Sequence, residues 1–249
     1  MPLELTLPPV AQRVSDLNAR HAHHAATDVL AHALDDPMLG PTALVSSFGA
    51  EAVVLLHMVS VIDRTTPVLF IDTEMLFPET LEYQRDVAAQ LRLTNVRVIR
   101  PDRELTFLND PNNGMHRTNP DGCCTLRKTE PLQRALAPFD AWVTGRKRYH
   151  GGQRQELPFF EADGDARVKI NPLAHFSRAD VAEYITNNRL PRHPLVAKGF
   201  ASLGCAPCTT RVAKGEDFRA GRWRGTDKNE CGIHFVDGKV LRKTGESTQ

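Results

Sequence analysis

The stretch TALVSSFGAEAVVLLHMVSVI, Thr42 to Ile62, reads as a strand, a tight turn and a helix in immediate succession. Thr42–Phe48 is a short apolar run of the kind that fills a buried parallel strand. From Ala50 to Ile62, the residues Val53, Val54, Leu56, His57 and Val61 fall on roughly one helical stripe. Small residues, Ser46, Ser47 and Gly49, flank Phe48 in the turn between them. A helix N-terminus there offers unpaired N–H groups and a partial positive charge, which can hold a phosphate. Taken alone, a Ser-Gly turn before a helix is more often merely a cap.

The same alternation recurs on the C-terminal side. Pro67–Asp72 (PVLFID), Asn95–Arg100 (NVRVIR) and Asp140–Thr144 (DAWVT) are further apolar runs rich in Val, Ile and Phe. Helical stretches lie between and after them. Pro78–Leu91 begins with a Pro near the first helical position, and Ser177–Asn188 places Ser177 and Asp180 in N-cap and N3 roles. Alternating elements with short connections imply an α/β fold, a doubly wound and mainly parallel sheet. Ligands of such sheets bind beyond the C-terminal ends of the strands, so Asp72-Thr73 and Thr144-Gly145 join the Ser46–Gly49 turn as candidate site segments.

Residues 1–190 are expected to form this α/β unit, with a helical region over 1–40. From about residue 191 Pro and Gly punctuate the chain and periodicity fades. Residues 191–249 therefore read as a loop-rich segment ending in a mobile tail, with both parts in one structural domain. The tail has the low apolar content that a catalytic lid requires.

Composition excludes several classes. The 249 residues carry 31 Lys and Arg against 30 Asp and Glu, a net charge of +1, so no global field recruits nucleic acid or an anionic membrane. The N-terminus lacks a basic and then apolar leader, and no run of about 18 apolar residues occurs. A cytoplasmic protein is expected. Five cysteines, an odd number, agree with a reducing compartment.

Four cysteines stand in two pairs, Cys123-Cys124 and Cys205-Ala206-Pro207-Cys208, with 80 residues between Cys124 and Cys205, and Cys231 stands apart near the C-terminus. A single buried Cys is usually a small hydrophobe. The pairing changes that reading, because Gly204 and Pro207 shape a turn able to aim Cys205 and Cys208 one way. Four thiolates are the usual complement of a 4Fe-4S cluster. Adjacent side chains reach one tetrahedral zinc only with strain, which favours a cluster over zinc. A redox-active Cys-X-X-Cys would leave Cys123-Cys124 unexplained.

Basic residues gather at Arg127-Lys128, Arg146-Lys147-Arg148 and Arg219, Arg222 and Arg224. Charge runs are usually solvated faces, and Arg146–Arg148 can be read either way. Lys128 differs: four residues after Cys124, it belongs about one helical turn away on the same face, where it can meet both a cluster and an anionic substrate.

With these residues in view, the chain resembles the assimilatory adenylyl-sulfate (APS) reductases, the iron-sulfur relatives of the phosphoadenylyl-sulfate (PAPS) reductases. The carriers are SSFGAE, IDTEMLFPETLEY, CCTLRKTEPL, WVTGRKR, GCAPCTTRV, GEDFRAGRW and ECGIH, spread from Ser46 to His234. The resemblance implies a sheet of the adenine nucleotide alpha-hydrolase-like (PP-loop) type. It also implies one 4Fe-4S cluster on Cys123, Cys124, Cys205 and Cys208, and reduction of APS to sulfite and AMP. The implied reductant is thioredoxin or glutaredoxin. The nucleotide would touch Ser46, Ser47, Phe48 and Gly49 and the backbone near Leu69 and Gly145. Lys128, Arg219 and Arg222 would meet the phosphate and sulfate groups. Cys231 matches the tail nucleophile, with His234 in the adjoining CGxH pattern. The sequence leaves open whether the chain forms a homo-oligomer.

The chemistry is coherent with the residues. The sulfur of a phosphosulfate anhydride is electrophilic, and a Cys231 thiolate can attack it to give an S-sulfocysteine and AMP. A thiol reductant then attacks the Cys231 sulfur and releases sulfite. Departures from the family pattern also stand out. Phe48 replaces a Gly of the PP-loop, Ala52 stands at its Ser position, Glu74 follows Asp72-Thr73 where Gly is common, and YHGGQR follows the basic run. The altered loop argues against ATP hydrolysis, and hence against a tRNA thiolase on the same scaffold. Two further functions compete with APS reduction: reduction of PAPS by the same chemistry, and nucleic-acid binding by a zinc-stabilised module.

Overall fold

The computed structural model describes residues 8–151, 154–225 and 228. Six strands form one sheet: β1 (Thr42–Ser46), β2 (Val68–Ile71), β3 (Val96–Ile99), β4 (Ala141–Val143), β5 (Phe160–Asp163) and β6 (Arg167–Ile170), in the order β3-β2-β1-β4-β6-β5. Every neighbouring pair is parallel except β5 and β6, which form an antiparallel hairpin at one edge. The α/β, mainly parallel reading of the sequence is what the chain adopts. β2 has all four residues buried, as do the three of β4, because helices cover both faces of the sheet.

Among the described residues two helices precede β1, α1 (Val10–His21) and α2 (Ala26–Asp35). Helix α3 (Ala52–Ile62) follows the first turn, α4 (Pro78–Gln90) follows β2, and α5 (Arg103–Asn109) follows β3. Helix α3 is apolar nearly all round. Val53, Val54, Leu55, Leu56, Met58 and Val59 are buried, so the core-facing surface is wider than the stripe read from sequence. Val61, assigned to that stripe, is instead 70% exposed on the last turn.

Before β4 the chain makes three consecutive helical pieces that sequence periodicity did not reveal. These are α6 (Met115–Thr118), α7 (Pro120–Cys124) and α8 (Glu130–Leu136), with a π-helical turn over Thr125–Thr129 joining α7 to α8. Such wide turns recur at functional sites, and this one carries Arg127 and Lys128. The last α-helix among the described residues, α9 (Arg178–Asn187), starts with the expected capping box: Ser177 accepts from the Asp180 N–H, and Asp180 accepts from the Ser177 N–H.

The β5–β6 hairpin is held by polar side chains. The Trp142 indole N–H donates to Asp163 at 2.8 Å, Arg167 pairs with the same carboxylate at 3.2 Å, and the buried Lys169 ammonium lies 4.9 Å over the Trp142 ring. After α9, the described chain continues as turns with a single 3-10 turn at Ala206–Cys208. No helix among the described residues is long and apolar enough to cross a membrane.

Candidate active site

The strand order places β2 and β3 on one side of β1 and β4, β6 and β5 on the other, so the chain reverses its winding between β1 and β4. That switch point opens a crevice at the carboxyl ends of the strands. A cleft of about 200 Å³ lies there, lined by Ser46, Ser47 and Gly49 after β1, Ile71 at the end of β2, and Thr144 and Gly145 after β4. Lys128, Arg219 and Arg222 close its other side.

Two expected contacts fall elsewhere. Phe48 does not line the cleft; its side chain is fully buried and meets Phe70 edge-on with ring centroids 5.2 Å apart. Its φ of +46° explains why glycine is usual at this point in the loop. Burial of a Phe side chain contributes about 2–3 kcal/mol, enough to offset a left-handed backbone costing about 1–2 kcal/mol. Leu69 also stays off the cleft wall, buried in mid-strand against the cluster of Ala43, Leu132 and Trp142. Ile71, two residues closer to the strand's carboxyl end, stands on the wall instead.

A buried polar network built on Glu51, the last residue before α3, forms part of the cleft lining through Glu51, Lys147, His150 and Arg154. Lys147 donates to Glu51 at 3.0 Å, the Tyr149 hydroxyl at 2.6 Å and His150 Nε2 at 3.2 Å. Arg154 donates to His150 Nδ1 at 2.8 Å. The imidazole proton therefore sits on Nε2, facing the carboxylate. Burial works to raise the Glu51 pKa, but the His150 hydrogen bond, the Lys147 charge and the Tyr149 hydroxyl outweigh it and hold the carboxyl at about 2. Burial pushes His150 down to about 4, despite the hydrogen bond to Glu51. The basic run is thus no solvated face over Arg146 and Lys147. Both are buried, and Arg146 pairs with Glu161 and Asn171.

The four paired cysteines converge on a second pocket. Cys123, Cys124, Cys205 and Cys208 line it together with Thr73, Met75, His116, Pro120, Arg127, Lys128, Arg222 and Trp223. All four are free thiols. The two pairs come from distant parts of the chain, and the segment 73–76 after β2 meets both. Ala206 donates to the Met75 carbonyl at 2.7 Å, Leu76 bridges Cys205, and the Thr73 hydroxyl lies 3.2 Å from the Cys205 sulfur. Arg127 ties the Cys123-Cys124 helix to the same region, through Asp110 at 2.9 Å, Asn113 at 2.6 Å and the Thr73 carbonyl at 3.4 Å.

Among the described residues no three or more His, Cys, Asp or Glu side chains are grouped to hold a single metal ion. The thiols line a pocket that, among the described residues, has three cationic side chains, Arg127, Lys128 and Arg222, and no carboxylate in its wall. Burial, with the neighbouring thiols Cys205 and Cys208, pushes Cys123 up to about 11, and burial also raises Cys208. Thiolate charge here is costly unless something positive shares the pocket.

The two cavities share a wall of three residues: Lys128, Arg222 and Trp223 line both. The π-helical turn after Cys124 brings Lys128 to this wall, while adjacent Arg127 is buried in its ion pair. Arg222 donates to the Leu203 carbonyl at 2.6 Å and lies 4.4 Å over the Trp223 ring. Its buried Nε has no hydrogen-bond partner among the described residues. A Cβ on Gly204 would come within 2.3 Å of the Arg222 guanidinium, so glycine there makes room for the arginine. Arg219 lies 5.8 Å from the Trp223 ring centroid. The arginine loop is held by Thr210 N–H to Gly221 at 2.8 Å and Trp223 N–H to Cys208 at 3.0 Å. Cys231 and His234 lie outside the described residues.

Sequence reading missed Glu51, His150, Arg154 and Trp223 as site residues. Glu51 ends the quoted loop and Trp223 stands inside the arginine motif, but their partners are distant in sequence and no local pattern reveals them.

Comparison with known proteins agrees with this architecture. Residues 41–211 match the phosphoadenosine phosphosulfate reductase domain. An adenosine 5'-phosphosulfate reductase of Mesorhizobium japonicum is 47% identical over 91% of this chain and 89% of its own length. One from Chelativorans sp. is 48% identical over 88% and 90%. The crystal structure of a phosphoadenylyl-sulfate (PAPS) reductase from Candida auris, in phosphate complex, superposes with a TM-score of 0.68 and 29% identity, covering 81% of this chain and 97% of that one. With the domain match spanning most of its length and these relatives matching nearly end to end, the chain belongs to the phosphoadenosine phosphosulfate reductase family.

Proposed function

We propose that the protein reduces APS to sulfite and AMP in assimilatory sulfate reduction, through an S-sulfo intermediate on Cys231, with thioredoxin or glutaredoxin as the electron donor. The observation that carries this reading is the shared wall. A nucleotide in the switch-point cleft and a cofactor in the four-cysteine pocket would both face Lys128, Arg222 and Trp223. A donor set of four thiols without carboxylates suits an iron-sulfur cluster, and the cations around it suit its negative charge. When bound, a 4Fe-4S cluster on Cys123, Cys124, Cys205 and Cys208 would supply a fixed anionic and structural group behind the wall.

The remaining steps fall to the chain's own residues. Ser46, Ser47 and Gly49 present the loop before α3 to the nucleotide, with Gly145 across the cleft. Arg222 and Arg219 hold the phosphosulfate oxygens, and the Arg222 Nε without a partner gains one when an anion binds. Lys128 adds a point charge that offsets the charge developing on the AMP leaving group. The Cys231 thiolate attacks the sulfate sulfur. A sulfur–sulfur bond forms, the sulfur–oxygen bond to phosphate breaks, and AMP leaves with the electron pair. His234 assists ionisation of Cys231. A reductant thiolate then attacks the Cys231 sulfur and expels sulfite, and its second thiol resolves the mixed disulfide to return Cys231 as a thiolate. This chemistry requires a reducing compartment, which is the cytoplasm.

Purification under anaerobic conditions tests the reading. About four irons per chain are expected, with turnover of APS well above that of PAPS when thioredoxin is supplied. Full activity in an iron-free protein, or a preference for PAPS, would overturn it.

A further inference from the structure

We infer that Phe218 is a positioning residue of the arginine loop: its ring, held by His150 and Arg178, fixes Arg219 against the switch-point cleft. The inference deepens the proposed function, since it rests on Arg219 as a phosphosulfate ligand. The half-buried Phe218 ring stacks on the His150 imidazole, with centroids 5.9 Å apart and planes 6° from parallel. The Arg178 guanidinium lies 4.8 Å over the same ring and 5.6 Å over that of Tyr149. Both partners belong to fixed parts of the α/β body. Arg178 is the first residue of α9, directly after the Ser177 cap. His150 and Tyr149 are hydrogen-bonded to Glu51. Phe218 immediately precedes Arg219, and both line the cleft together with His150.

The other bonds of the loop show what the stack adds. Arg224 pairs with Glu216 at 2.8 Å, the Ala213 N–H donates to Glu216 at 2.8 Å, and the Arg219 N–H donates to Asp217 at 2.8 Å. These contacts stay inside the loop-rich segment after α9, so they set its shape without setting its place over the sheet. Residues 213–217 are exposed. The Phe218 stack ties this stretch to Glu51, and through Glu51 to the turn before α3 that faces the nucleotide. The segment YHGGQR, a departure from the family pattern, thereby gains a role: its His150 is the stacking partner. An anion entering the cleft then meets Arg219 already in place, and spends no binding energy on closing the loop.

Variants of the intact, anaerobically purified protein test this: Phe218→Ala, Phe218→Tyr, Arg178→Ala, Arg219→Ala, and Phe218→Ala combined with Arg219→Ala. The first readout is APS turnover with thioredoxin. A loop in place for only part of the time lowers apparent affinity by that fraction. Phe218→Ala should therefore raise the half-saturating APS concentration about tenfold, with the rate at saturation within about twofold of wild type. Arg178 is exposed and does not line the cleft, so Arg178→Ala should raise that concentration about threefold by loosening the stack alone. Phe218→Tyr keeps the ring and should stay within about twofold of wild type. In the Arg219→Ala background, Phe218→Ala should add less than about twofold, because the residue it positions is gone. The second readout is cleavage after Lys214 by lysyl endopeptidase without substrate, which should rise several-fold in Phe218→Ala and Arg178→Ala and not in Phe218→Tyr. Unchanged half-saturation and cleavage in Phe218→Ala and Arg178→Ala would overturn the inference. So would a full tenfold effect of Phe218→Ala surviving in Arg219→Ala, which would make Phe218 a nucleotide contact in its own right. If wild-type protein turns over no APS, the proposed function fails, while the cleavage comparison still decides whether the stack fastens the loop.

Discussion

Acid should destabilise this fold through buried histidines that cannot accept a second proton without losing a hydrogen bond. His193 is 1% exposed, its Nδ1 accepts from the Leu195 N–H at 3.2 Å, and its Nε2 lies 3.1 Å from the Thr80 hydroxyl. Protonating Nδ1 would set two N–H groups against each other. Burial pushes the His193 pKa down to about 4, only partly opposed by Glu79. In the unfolded chain the same imidazole titrates near about 6.5. A group whose folded pKa is depressed gives stability that is full above the unfolded value and is lost as the pH falls toward the folded value. The window is therefore roughly pH 6.5 down to 4, and at pH 5 the linkage relation gives a loss of about 2 kcal/mol relative to pH 7.5. Anaerobic urea unfolding at the two pH values measures it. Because other groups also titrate, the decisive comparison is with His193→Asn, whose amide oxygen can still accept from Leu195. The variant should lose about 2 kcal/mol less than wild type between pH 7.5 and 5, whatever its stability at neutral pH. Equal acid losses in the two proteins would refute the reasoning.

Three further perturbations separate structure from chemistry. Arg127→Ala leaves Asp110 buried without its cation and should cost about 3–5 kcal/mol, read from the urea midpoint. Gly221→Ala would drive a Cβ to 2.2 Å from the Thr210 carbonyl, so the arginine loop must shift; a stability loss of about 2 kcal/mol and weaker APS binding in a titration are expected. Glu74 is exposed with φ at +59°, and Glu74→Gly should raise the melting temperature by relieving about 1–2 kcal/mol of backbone cost, less the about 0.5–1 kcal/mol that glycine's entropy takes back.

The parts of the fold visible in sequence are those whose cause is local. Four strands announce themselves as short apolar runs, β1, β2 and β4 largely buried between helices and β3 at the sheet edge, and α9 because Ser177 and Asp180 cap it reciprocally. The β5–β6 hairpin stayed hidden because FEAD and RVKI are too polar to read as strands. They are held there by Phe160, Val168 and Ile170 in the core and by Asp163 meeting Arg167, Lys169 and Trp142 in space. The same division runs through the site. Lys128, four residues after Cys124, lines the cysteine pocket by way of a π-helical turn. Nothing local distinguishes it from Arg127, whose structural role depends on Asp110 and Asn113. Phe48 looked like a loop contact and proved to be core, since a left-handed backbone turns its ring toward Phe70. Glu51 shows its importance only with Lys147, Tyr149 and His150 beside it.

The proposed chemistry meets its most direct test when the anaerobically purified protein is mixed with APS in the absence of any thiol reductant and analysed by intact and peptide mass spectrometry. The expected result is one sulfo group per chain, located on Cys231, with an equal amount of AMP released and neither product in Cys231→Ser. Release of AMP and sulfite with Cys231 left unmodified would contradict it.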